Sequence, residues 1–215
     1  REIEEIETNV MRLFEYGEYF NFSVSGLSGT GKTATVLAVM TELESKAQKE
    51  NLPLRICYVN AYNKKVEFGI LASMVSSLSG SYKNGYTIGM LYACLEKKIK
   101  DKHLVLVLDE ADKVKPEELT RLLYNLFELS VLIHQENEQA NISFVLISNT
   151  AKFLDKLDSR VRSRLADNMI YFKPYNALQI TDILMSRAKQ GLKQIREIDE
   201  NVIRYISASA AQAHG

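Results

Sequence analysis

The chain has 215 residues, 46% hydrophobic and 25% charged, with 27 basic side chains balanced by 27 acidic ones. That length suits one α/β domain with a small second piece. The neutral balance excludes a chain-wide basic footprint, so any DNA contact must be local. No apolar run reaches the roughly 18 residues of a membrane span, and the start Arg1-Glu2-Ile3-Glu4-Glu5 is no secretory signal.

Cys57 and Cys94 stand in apolar contexts without a partner pattern and read as reduced thiols of an intracellular protein. The chain does not begin with Met, and a trimmed piece of a longer protein is expected. Ile3, Ile6, Val10, Leu13 and Phe14 recur at helical spacing, and Gly17 supplies a stop. Residues 20–25 alternate like a strand, a glycine-rich loop follows, and a helix runs over about 31–50. Leu54 to Val59 predicts a short strand, and 64–79 a helix. Ser79 to Tyr86 is a loop, after which Thr87 caps a helix with Ile88, Leu91, Tyr92, Leu95 and Ile99 on its inner face.

His103 to Leu108 is a continuous apolar run, the mark of a strand buried on both faces. Pro116, Glu117 and Glu118 open a long helix. Ile142 to Ser148 predicts a second buried strand, 151–165 short helical turns, and Met169 to Phe172 a last strand. After Pro174, amphipathic helices follow over about 176–190 and 199–212. Strands alternating with helices imply a doubly wound parallel sheet, with a core over 1–172 and a helical lid over 173–215.

Gly26-x-x-x-x-Gly31-Lys32-Thr33 lies between a predicted strand and a predicted helix, the context of a phosphate-binding loop. Glycines let backbone N–H groups turn inward around phosphates, and the helix N-terminus adds positive potential. The cradle spans Gly26, Leu27, Ser28, Gly29, Thr30, Gly31, Lys32, Thr33 and Ala34. In that motif Lys32 meets the β- and γ-phosphate oxygens and Thr33 coordinates Mg²⁺. Such a loop needs an acid at the tip of a neighbouring buried strand, and Asp109-Glu110 supplies it. Asp109 is predicted to hold Mg²⁺ through its water shell, and Glu110 to polarise the attacking water. Asp112 is read as structural or solvated.

Asp109-Glu110-Ala111-Asp112 resembles the second nucleotide motif of the AAA+ ATPases, and Val145-Leu-Ile-Ser-Asn149-Thr their sensor-1 strand. Leu157-Asp-Ser-Arg160-Val-Arg-Ser-Arg164-Leu is similar to their arginine-finger segment. Tyr171-Phe-Lys-Pro-Tyr175 followed by Ile180-Thr-Asp-Ile-Leu184 resembles the entry to the helical lid. Together these resemble the origin-recognition and Cdc-type replication initiators, most nearly the archaeal form. The resemblance implies a five-stranded AAA+ core, ATP or ADP with Mg²⁺, and slow hydrolysis acting as a switch. It implies Asn149 at the γ-phosphate and a finger at Arg160 or Arg164 reaching a neighbouring subunit's nucleotide; the pattern does not choose between the two. It places Tyr175 and Ile183 where the lid would touch adenine.

The implied partners are double-stranded origin DNA, a replicative helicase and neighbouring initiator subunits. DNA is met mainly through a winged-helix domain expected beyond Gly215, as is the sensor-2 arginine. The implied location is cytoplasmic and nucleoid-associated in an archaeon, nuclear in a eukaryote. The loop Ser81-Tyr82-Lys83-Asn84-Gly85-Tyr86 is the local DNA-contact candidate, set against an ordinary surface loop, with Lys64 and Lys65 as further candidates. The competing readings are another AAA+ member such as a clamp-loader subunit or transposition partner, a P-loop kinase, and a nucleotide-binding module that does not hydrolyse.

Overall fold

The computed structural model describes residues 2–80, 85–165, 168–191 and 200–214. The apolar runs become central strands. Five strands, β1 Asn21–Gly26, β2 Leu54–Asn60, β3 His103–Asp109, β4 Asn141–Ser148 and β5 Met169–Phe172, pair in parallel in the order β2-β3-β4-β1-β5. β3 and β4 are buried at every residue, as strands covered on both faces must be.

The covering helices are α1 Glu2–Tyr16, α2 Lys32–Lys49, α3 Glu67–Ser79, α4 Ile88–Ile99 and α5 Pro116–Glu136, with a short α6, Ser159–Ser163. The period-two alternation of β3 sorts its side chains between two cores. Val105 and Val107 pack with Val24, Val145, Val36 and Met40 under α1 and α2. Leu104, Leu106 and Leu108 pack with Leu71, Leu95 and Leu122 under α3, α4 and α5. The result is a three-layer α/β/α sandwich, and the carboxyl ends of all five strands share one edge.

The chain divides into two compact units, Arg1–Phe172 and Lys173–Gly215. In the second, α7 (Ala177–Gly191) packs on α8 (Glu200–His214), with Ile203 and Ser207 buried one turn apart on α8. Among the described residues no helix is long and apolar enough to cross a membrane.

One local difference from the sequence reading has a clear cause. The third helix begins at Glu67 rather than 64, because Lys64 N–H closes a turn on Ala61 O at 3.0 Å and Val66 is extended. The Glu67 N–H is capped instead by Glu118 Oε2 at 3.0 Å, and Lys64 and Lys65 are left exposed in the turn. Of the loop 81–86, Ser81 to Asn84 lie outside the described residues, while Tyr86 is half-buried against the α3–α5 core. Thr87 caps α4 as predicted, accepting from Met90 N at 3.3 Å. Cys57 is buried, which pushes its thiol up to about 11, and Cys94 is half-buried; both are unbridged.

Candidate nucleotide site

The glycine loop leaves the sheet where only glycine fits. Gly26 has φ 152°, and a Cβ there would meet Phe172 O of the paired β5 at 2.4 Å. Gly31, at φ 84°, is the N-cap of α2 and brings no side-chain cap, so the first-turn N–H groups are left for an incoming anion. Thr30 ties the loop by donating to Leu27 O at 2.8 Å, while Leu27, Ser28 and Gly29 are exposed. Ala34 is exposed on the first turn of α2.

Lys32 is 6% exposed, and its Nζ donates to Gly26 O at 2.8 Å, Leu27 O at 2.8 Å and Asn149 Oδ1 at 3.1 Å. Burial lowers its pKa, opposed by the charges of Asp109, Asp112 and Glu110. The ammonium therefore sits in a partly desolvated spot where a phosphate oxygen is a better partner than a carbonyl.

Asp109 ends β3, two strands from β1, with β4 between. Its Oδ2 accepts from Thr33 Oγ1 at 2.9 Å and from the Tyr58 hydroxyl at 2.8 Å, and its Oδ1 accepts from Glu110 N at 2.8 Å. Glu110 is a non-glycine residue at φ 53°, ψ 40°, a conformation that costs on the order of 1–3 kcal/mol and recurs at functional sites. Its carboxylate accepts no hydrogen bond from a described residue, so it can receive a water. Asn149 follows β4, and its backbone N–H donates to Asp112 Oδ1 at 3.1 Å. Its Oδ1 faces Lys32, which leaves its amide N–H₂ to donate.

Lys32, Thr33, Asp109 and Asn149 are thus hydrogen-bonded around one point at the carboxyl edge of the sheet, with Glu110 beside them. Asp109 and Thr33 offer a carboxylate and a hydroxyl oxygen, hard donors that suit magnesium. That ion keeps several waters and takes its other ligands from phosphates. The residues present fit it. Tyr58, on Asp109, escaped the sequence reading, while Asp112, read there as structural or solvated, anchors the Asn149 backbone.

Arg160 and Arg164 share a face, as their spacing requires. Both lie over α5, with Arg160 5.1 Å from the Tyr124 ring centroid and Arg164 5.0 Å from that of Phe127. Asp158, the N-cap of α6, pairs with Arg160 at 3.0 Å, and Glu128 with Arg164 at 3.7 Å. Among the described residues neither arginine bonds to the phosphate loop. Arg160 is the freer, its side chain 70% exposed against 44% for Arg164, and it borders a groove of about 390 Å³ with Arg121, Tyr124 and Lys156. Tyr175 belongs to the second compact unit.

Residues 21–157 match the family described as the AAA domain. An ORC1-type DNA replication protein of Thermococcus onnurineus is 36% identical over 202 residues, covering 91% of this chain and 48% of the relative. ORC1-type DNA replication protein 1 of Archaeoglobus fulgidus is 36% identical over 200 residues, with 91% and 47% coverage. The structure of the Aeropyrum pernix ORC1 protein in complex with DNA superposes with a TM-score of 0.82 at 28% identity, covering all of this chain and 55% of that one. The chain spans about half the length of the curated relatives it matches. It belongs to the AAA domain family and, within it, is similar to the archaeal ORC1-type DNA replication proteins.

Proposed function

We propose that this chain is the ATP-binding and ATP-hydrolysing portion of a replication-origin initiator, an ATP-dependent switch for origin binding and helicase loading. The observation that supports it best is the hydrogen-bonded convergence of Lys32, Thr33, Asp109 and Asn149 at the sheet edge. The ORC1-type relatives, and the A. pernix protein solved with DNA, favour the initiator over a clamp-loader subunit or a kinase.

In this reading the phosphate loop cradles the triphosphate, and Lys32 exchanges its loop carbonyls for phosphate oxygens. Thr33 and, through water, Asp109 would hold magnesium, which would neutralise phosphate charge when bound. Glu110 orients a water and takes its proton as the water attacks the γ-phosphorus and the bond to the bridging oxygen breaks. Asn149 donates to the γ-phosphate or the water. An arginine from a neighbouring subunit stabilises the transition-state charge, an effect of about 10³ or more in rate. Arg160, the more exposed of the two candidates and beside a groove of mixed charge, is the one we favour. Turnover is slow. Origin DNA is bound chiefly through a winged-helix domain outside this chain, and Tyr175 touches adenine from the lid.

Lys32→Ala should abolish ATP binding, whereas Glu110→Gln should keep binding and block hydrolysis. Fluorescent-nucleotide titration and phosphate release read the two. Equal loss of binding in both variants would sink the assignment of Glu110 as base.

A further inference from the structure

Tyr58 stands outside every nucleotide motif, yet it reaches the carboxylate at the centre of the site. In β2, Leu54 and Ile56 face the α1–α2 core, so Tyr58, next on the same face, points the same way. In β3, Val105 and Val107 face that core, and Asp109 follows them. The register pairs Tyr58 with Val107, which makes Asp109 its diagonal neighbour on one sheet face, within reach of an aromatic side chain. The phenol closes the gap at 2.8 Å.

A carboxylate offers about four lone-pair directions. Thr33 and Tyr58 occupy both on Oδ2, and Glu110 N–H occupies one on Oδ1. A single direction, on Oδ1, is left for a further donor. We propose that Tyr58 is a positioning residue for Asp109: its hydroxyl fixes the carboxylate so that its remaining lone pair meets a water of the nucleotide-bound magnesium. The idea rests on the nucleotide reading above and goes beyond it by adding β2, through Tyr58, to the strands that define the metal subsite. Tyr58 lies on β2, outside the phosphate loop, and its hydroxyl donates to Asp109 with Asn60 also beside it.

The test is Tyr58→Phe in the full chain, which removes the hydroxyl and keeps the ring. Affinity for a fluorescent ADP is titrated with EDTA and with increasing Mg²⁺. Losing this donor should raise the half-saturating Mg²⁺ concentration about 3- to 10-fold, the effect of an ordinary net hydrogen bond, because the site is open to water. Metal-free affinity should stay within about twofold of wild type, since no phosphate contact is lost. An unchanged Mg²⁺ response, or an equal fall with and without Mg²⁺, overturns the proposal. In an Asp109→Ala background, which removes the acceptor, the added Tyr58→Phe should change nothing, and a further shift there also overturns it. A wild-type chain that binds no nucleotide under either condition would instead remove the nucleotide reading itself.

Discussion

Replacing Asp112 separates a structural tether from a solvated charge. Its Oδ1 accepts the Asn149 backbone N–H at 3.1 Å, and its side chain is only 9% exposed. Its other partner, Lys113 Nζ at 3.6 Å, is largely in solvent, and such a pair contributes about 0–1 kcal/mol. The backbone bond carries the larger share, since hydrogen bonds to charged groups are worth about 1.5–3 kcal/mol. Asp112→Ala should therefore destabilise by about 1.5–3 kcal/mol, and Asp112→Asn, which keeps a neutral acceptor, by about half that. At ~2–4 °C per kcal/mol, the alanine variant should melt roughly 3–12 °C lower. Release of Asn149 should also loosen its contact with Lys32, and a loss of about 1.4 kcal/mol in transition-state stabilisation would cut turnover about tenfold. Calorimetric melting and phosphate release under saturating ATP measure the two effects. An Asp112→Ala protein with wild-type melting and turnover would refute the tether.

Gly26→Ala forces a Cβ against Phe172 O at 2.4 Å in a backbone conformation reserved for glycine, and should cost at least about 2 kcal/mol in urea unfolding. His103 is buried against Ser143 Oγ at 2.9 Å, and burial lowers its pKa to about 4 from 6.5. The unfolded chain therefore takes up this proton first, and stability falls as pH drops from about 6.5 towards 4, by roughly 3 kcal/mol. His103→Gln should remove that part of the acid limb, which unfolding at pH 7 and pH 4.5 compares. Arg160→Ala should leave ATP affinity intact and remove any stimulation of hydrolysis by subunit association. Arg164→Ala should retain that stimulation; the reverse pattern in concentration-dependent turnover would move the finger to Arg164.

Much of the site was readable because its parts are local. The phosphate loop declares itself by spacing, Asp109-Glu110 by following an apolar strand, and Asn149 by ending the next one. Parallel sheets place strand ends on one edge, so naming the strands was enough to gather these residues. The role of Tyr58 and the partner of Asp112 were not legible for the opposite reason. Tyr58 meets Asp109 only through the β2–β3 register, which no local pattern specifies. Asp112 acts on a backbone N–H 37 positions away. Glu67 shows the same limit: a carboxylate in the first turn of a helix, it is nonetheless buried, accepting from Tyr92 OH at 2.7 Å and Asn125 Nδ2 at 3.1 Å. Helix starts failed where a side chain from another element decided them, as Glu118 does at Glu67.

A crystal structure with a non-hydrolysable ATP analogue and Mg²⁺ addresses the central assignment most directly. The γ-phosphate should lie within hydrogen-bond reach of Lys32 and Asn149, with the metal bound by Thr33 and its water shell against Asp109. A triphosphate bound elsewhere, with the Lys32–Asn149 and Thr33–Asp109 bonds undisturbed, would contradict it.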